Sequence, residues 1–215
     1  MLGQLDEAHA LLDAALLIDP GYSRGDIYRS WLFRSHGRPK DSLSAAKRGA
    51  STDPHSLLNR HSYSWAMFCS GLAKEALMLE RKLQMAYPQD DVAQGYVGIF
   101  AAYLGNYNEA LAASEASTQL SPGRPAVCAA AAYVLARAGQ TKRARQLAEN
   151  ALEAVLPRAP RPMLAPGYLE LGDRERALDL MREACDEGCA WSAPARLDPR
   201  LSDLKSDDKF LALFS

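Results

Sequence analysis

The sequence predicts an all-α solenoid, a row of helix-turn-helix units laid side by side. Three observations predict it. Glycines stand at Gly3, Gly37, Gly71, Gly105 and Gly139, each thirty-four residues after the last. Prolines keep the same interval at Pro20, Pro54, Pro88 and Pro122. Between these marks apolar residues return at three- and four-residue steps, the pattern of amphipathic helices. Two markers sharing one period define an internal repeat, in which each unit buries its apolar face on its neighbours.

The first element, residues 1–22, is half a unit. Leu5, Ala8, Leu11, Leu12, Ala15 and Leu16 share one face of a single helix. It corresponds to the second helix of a pair whose first helix is missing, so an apolar side lacks its neighbour. This predicts a longer protein or a partner on that face, including a second copy paired across a two-fold axis. Residues 23–56 form the next unit: Ile27, Tyr28, Trp31, Leu32 and Phe33 lead to Gly37, then Leu43, Ala45, Ala46 and Ala50 to Asp53-Pro54. Residues 57–90 repeat it with Tyr63, Trp65, Met67 and Phe68, then Ala76, Leu77, Leu79 and Leu83, closed by Tyr87-Pro88. Residues 91–124 and 125–157 keep the frame. Each turn glycine frees the backbone for positive φ, and the later proline cannot extend a helix.

The unit 158–190 carries its turn glycine, Gly172, one residue early. Pro157, Pro160 and Pro162 precede its first helix and Pro166 interrupts it. Proline costs roughly 3 kcal/mol in a helix unless it sits in the first turn, so a short helix starting near Met163 or Leu164 is expected. Its second helix runs from Arg174 to about Glu187 and stops at Gly188. In the tail, 191–215, the residues Leu197, Leu201, Leu204, Phe210, Leu211 and Phe214 are expected to cap the last helix of the 1–190 solenoid.

The chain resembles the tetratricopeptide repeat, a thirty-four-residue helix-turn-helix unit with small residues where helices cross and a late proline. The matching small residues are Ala8, Ala76, Ala110, Ala144 and Ala177 after the turn, with Ser42 in the odd unit. Ala15, Gly49, Ser117, Ala151 and Ala184 match the second crossing, and Ser30, Ser64, Gly98, Ala132 and Ala165 the first helix. The resemblance implies a right-handed α-α superhelical solenoid. Departures are plain too. The position usually given to tryptophan holds Asp26, Arg60, Gln94, Cys128 and Arg161, and the usual second-helix aromatic is replaced by Leu12, Ala46, Glu80, Ser114, Ala148 and Met181. The tail, with its Asp198-Pro199-Arg200 turn and Phe210, resembles the ending of the repeat region in bacterial multidomain regulators. There such repeats follow a DNA-binding or nucleotide cyclase domain.

By the geometry of that family the ninth position of each unit looks into a concave groove: Trp31, Trp65, Ile99 and Tyr133. One helical turn along lie Tyr28, Phe68, Tyr96 and Tyr103, with His61 nearby. An aromatic-lined groove suits an extended peptide or an amphipathic helix of a partner protein. The same rings also fit a purely structural role, packed between successive first helices. Family members that clamp a C-terminal carboxylate use Lys, Asn and Arg at positions that here hold Ile27, Trp31, Ser62, Val92 and Tyr96, so that clamp is not expected. The expectation is a protein-interaction scaffold; the alternative is a ligand- or partner-sensing segment of a larger regulator or cyclase.

A net charge of -1 supplies no field to draw in nucleic acid or an acidic membrane. The four cysteines, Cys69, Cys128, Cys185 and Cys189, show no disulfide framework, so reduced thiols in a cytoplasmic protein are expected. No signal peptide is visible at the N-terminus. The longest uncharged run, Val92 to Asn108, is too polar and too short for a bilayer. Cys185 and Cys189 lie one helical turn apart without a second ligand pair to hold a metal. Lys142, Arg143 and Arg145 face Glu149 and Glu153, the pattern of an ion-paired surface. With no nucleophile set and no Gly-rich phosphate loop, neither catalysis nor a cofactor is expected.

Overall fold

The computed structural model describes residues 2–153 and 161–214, with side chains from residue 6 onward. Leu5, Pro157, Pro160 and the junction of units 125–157 and 158–190 lie outside the described side chains and residues. A lone helix, α1 (Leu2–Ile18), is followed by five pairs. These are α2 (Ser23–Ser35) with α3 (Pro39–Thr52), α4 (Leu57–Cys69) with α5 (Ala73–Ala86), and α6 (Asp91–Tyr103) with α7 (Tyr107–Leu120). Then come α8 (Pro125–Arg137) with α9 (Thr141–Glu153) and α10 (Arg161–Glu170) with α11 (Arg174–Asp186). The tail holds α12 (Ser192–Ala195), a 3-10 segment (Pro199–Leu204) and α13 (Asp208–Ala212). Each second helix packs on the first helix of its own pair and of the next, and α6, α8 and α10 stack in a row. This is a right-handed α-α superhelical solenoid.

The periodic glycines occupy equivalent corners. Gly37, Gly71, Gly105 and Gly139 have φ of 70°, 85°, 83° and 78°. At each, the following residue donates its backbone N–H to a carbonyl five positions back: Arg38 to Phe33, Leu72 to Met67, Asn106 to Ala101 and Gln140 to Leu135, at 2.8 to 2.9 Å. Together with the glycine's own bond three back, this satisfies carbonyls the helix end would leave bare. The periodic prolines follow the ends of α1, α3, α5 and α7.

Pairs meet through small residues, as backbones at close approach require. Ala76, Ala110, Ala144 and Ala177 are fully buried, and so are Ser64, Ala132 and Ala165 opposite them. A Cβ on Gly98 would stand 3.4 Å from the Ala110 carbonyl oxygen. In the odd unit Ser42 keeps the crossing by bonding the Ser30 hydroxyl at 2.9 Å.

α10 differs from its expected start: it is short, at ten residues, but already helical at Arg161. Pro162 falls in the first turn, where a missing N–H loses no helical bond, so only the buried Pro166 interrupts the ladder. In the tail, Leu201, Leu204 and Phe210 are buried with Leu178, Leu180 and Met181, and Leu213 and Phe214 pack on that cluster. Leu211 instead points to solvent. On α1, Leu12 is buried while Leu11, Leu17 and Ile18 are exposed. Among the described residues no helix is long and apolar enough to cross a membrane.

Candidate functional site

The first helices gather the aromatic positions into one large cluster and one smaller pair. Trp65 is the centre of the cluster. Its ring lies 5.5 Å from Phe68, 5.0 Å from Tyr96 and 5.9 Å from Phe100. Phe68 stacks on Phe100 at 4.7 Å and meets the edge of Tyr103 at 4.9 Å. His61 touches this cluster through Tyr96, 5.8 Å away and edge-on. Tyr28 and Trp31 form a second, smaller pair at 6.0 Å. Ile99 and Tyr133 are fully buried in the core with Phe68 and Val97. Tyr28 and Tyr103 are exposed, Trp31, Trp65 and Tyr96 half-buried. Burial lifts the Tyr96 and Tyr133 hydroxyls well above their ordinary range, so both stay neutral.

The chain's own tail, between residues 191 and 200, crosses the side formed by α2, α4 and α8. Trp191 lies 5.1 Å from Trp31. Arg196 rests on the Gly37 turn and points a guanidinium nitrogen at the Ser35 carbonyl, 3.4 Å away at the end of α2. Arg200 reaches deepest: its guanidinium sits 5.1 Å from the Trp65 ring and 5.1 Å from the Tyr133 ring. Asp198 neutralises it, with Nε to Oδ1 at 3.0 Å and Nη2 to Oδ2 at 2.6 Å, and also accepts the Arg200 backbone N–H. Arg200 and Asp198 are only 6% and 5% exposed. Desolvation opposes the guanidinium's charge, but the Asp198 carboxylate outweighs it and holds Arg200 above its ordinary value. Arg34 is buried in the same region, with no partner for its Nε. Cys69, near Arg34, Asp198 and Arg200, has its thiol pushed up to about 11, chiefly by burial.

His61 is turned inward. Its Nδ1 lies 3.1 Å from both Glu80 oxygens and its Nε2 2.7 Å from Asp90. The Ser64 hydroxyl donates to Glu80 as well. Two ring nitrogens facing two carboxylates describe an imidazolium donating twice. Burial lowers the His61 pKa, yet Glu80 and then Asp90 outweigh it and hold the ring above its ordinary value. Glu80 itself is lifted by burial. Glu80 stands where the repeat usually places an aromatic, so this cluster fills a core position with a partnered polar group.

Beyond Trp31 an apolar cavity of about 810 Å³ opens between α1, α2, the end of α11 and the tail, lined by Leu11, Leu12, Tyr28, Trp31, Cys185 and Cys189 among others. Among the described residues, no group of three or more His, Cys, Asp or Glu side chains is placed to hold a metal. Arg145 lies 3.8 Å from Asp173 of the next pair. Sequence reasoning missed Phe100, Arg34, Trp191 and Arg200. Phe100 was signalled by its place beside Ile99, but nothing in the repeat pattern ties the tail to α2 or α4.

Solved structures similar to this chain include a thermophilic TPR (tetratricopeptide-repeat) protein of Thermus thermophilus: 17% identical, TM-score 0.62, covering 84% of this chain and 99% of that one. PilW, a widely conserved type IV pilus biogenesis factor, is 18% identical with a TM-score of 0.60, covering 100% of this chain and 93% of its own. The pilF protein of Pseudomonas aeruginosa is 18% identical with a TM-score of 0.58, covering 86% and 85%. No protein-family model and no curated protein matches the chain. At these identities the likeness is one of fold: the chain has the helical-repeat architecture of tetratricopeptide proteins.

Proposed function

We propose that this protein is an interaction scaffold that takes a peptide or helix of a partner protein on the aromatic side of its solenoid. The observation that supports this most is the ring cluster of half-buried Trp65 and Tyr96 with exposed Tyr103, packed on the buried Phe68, together with exposed Tyr28 and half-buried Trp31. Aromatic side chains give large contact area at low entropic cost and serve as anchors at interfaces. Panning a displayed peptide library on the purified chain tests the reading. Selected peptides should bind the Trp31→Ala chain at least about tenfold more weakly, a loss of about 1.4 kcal/mol. Trp31 is half-buried on the surface, so its removal leaves the helical pairs intact. Peptides that ignore Trp31→Ala and compete with none of the ring cluster would place the site elsewhere.

A second reading, a ligand-sensing segment of a larger regulator, is favoured by the apolar cavity. Its volume falls within the range of small-molecule sites, and it joins α1 and α2 to the tail. An uncharged dye such as Nile red should brighten on binding there and quench tryptophan emission, and the surface change Leu11→Asp should remove both signals. A dye that stays dark with the unaltered chain counts against this reading.

A further inference from the structure

The tail does not merely cap the last helix; it lies in the groove as a bound segment would. Its contacts fall on units far away in sequence. Trp191 is on Trp31, Arg196 on the end of α2, and Arg200 against Trp65 and Tyr133. The groove meets the Arg200 guanidinium with aromatic faces. Among the described residues the carboxylate paired with it is Asp198, from its own turn. The buried ligand thus brings its own counter-charge, which spares the groove an unpaired acid. The groove adds a buried cation of its own, Arg34, with its Nε unpartnered.

A buried ion pair is a poor choice for stability alone, since apolar residues of similar volume do as well or better. Its virtue is selectivity: a planar cation on ring faces is recognised by shape and charge together. The segment is set off at both ends by breaks in regular structure. Gly188, at φ 67°, precedes it; α12 has four residues; and the backbone departs from helical geometry at Leu201. The exchange proposed below requires residues 189–200 to release while Leu201, Leu204 and Phe210 stay on the last pair.

We propose that the channel between Trp65 and Tyr133 is a guanidinium-binding site occupied in cis by Arg200, and that the scaffold's partner presents an arginine two residues after an acidic residue, exchanging with Asp198 and Arg200. This rests on the reading of the groove as a partner-binding surface and names the chemistry of what it binds. The tail then sets a threshold: a partner is held only when it outcompetes a segment already tethered at high effective concentration.

All three tryptophans, Trp31, Trp65 and Trp191, report on this region, so intrinsic fluorescence follows the exchange in the full chain. The probes are a synthetic peptide of residues 194–204 and the same peptide with alanine in place of Arg200, its Arg196 kept. The full-length Arg200→Ala chain should bind the first peptide at least about tenfold more tightly than the unaltered chain does. The alanine peptide should not bind. A folded Arg200→Ala chain that gains no affinity, or takes both peptides alike, overturns the proposal. Should Arg200→Ala fail to fold, hydrogen exchange on the unaltered chain decides. Amides of Arg196, Leu197, Asp198 and Arg200 opening faster than those of α6 and α8 support the proposal, and amides that open only with global unfolding refute it. Library peptides that bind but lack arginine would sink this inference and leave the scaffold reading standing; a library without binders would remove both.

Discussion

His61 shows how a single side chain takes its meaning from what surrounds it. It stands on α4, one turn from Trp65, yet its ring nitrogens are held by Glu80 of α5 and by Asp90, at the start of α6. Tyr96 closes the site from a third helix. The pH dependence follows from the sign of the shift. A group with a raised pKa in the folded state stabilises fully below its unfolded value of about 6.5, and loses that contribution as pH climbs through the folded value. Glu80, also raised, acts in the same direction. The melting temperature should therefore fall as pH rises from 6 to 8. His61→Gln should flatten that slope and lower stability at pH 6 by about 1–3 kcal/mol, because buried acceptors lose their donor. A slope unchanged in the variant would assign the titration to another group. The pattern flagged Tyr96 and the odd Glu80 each by itself, but nothing in it joined them, or Asp90, to His61. Arg200 was equally silent: its turn was visible, its destination was not.

At the scale of the element, the helical pair, the sequence spoke clearly. The Gly105 turn is representative: φ is 83°, and a Cβ placed there would meet nothing within 4 Å. The glycine is required by backbone conformation and not by space. Gly105→Ala should cost about 1–2 kcal/mol from the left-handed conformation alone, measured by urea unfolding. A neutral result would mean that the corner relaxes to another turn. α10 lay at the limit of this legibility. Counting prolines made it short, as it is, but only the turn-by-turn position of Pro162 shows why it is already helical at Arg161. The substituted core positions were harder still. Asp26 is buried and held by Arg48 of α3, and Gln94 is buried between Gln84 and the Pro88 carbonyl. These two departures from the repeat are each answered by a partner on a neighbouring element.

For the whole molecule, the open-ended logic of a solenoid holds along most of the chain and breaks at its end. Repeat units normally touch only their neighbours, so the two ends have no reason to meet. Here α12 packs on α2, and Arg196 reaches the Ser35 carbonyl across 161 positions of sequence. The tail thus joins the second unit to the last pair and roofs the ring cluster. Pairs between adjacent units, such as Arg81 with Glu109 and Arg137 with Glu170, secure the ordinary neighbours. The tail adds a long span, and Cys189, Ala190, Ser192, Ala193 and Pro194 of it form one wall of the apolar cavity.

Read alone, the amino-acid order settled the helical pairs, their corners at Gly37, Gly71, Gly105 and Gly139, and the small residues at their crossings. These depend on contacts within some thirty-four residues, which one repeat length contains and which periodicity repeats until it is unmistakable. Where the tail goes, which rings remain open, and which buried charges find each other depended on the completed fold. Such contacts join residues that share no period, and their energies arise only once curvature has brought the far parts of the chain within a few ångströms.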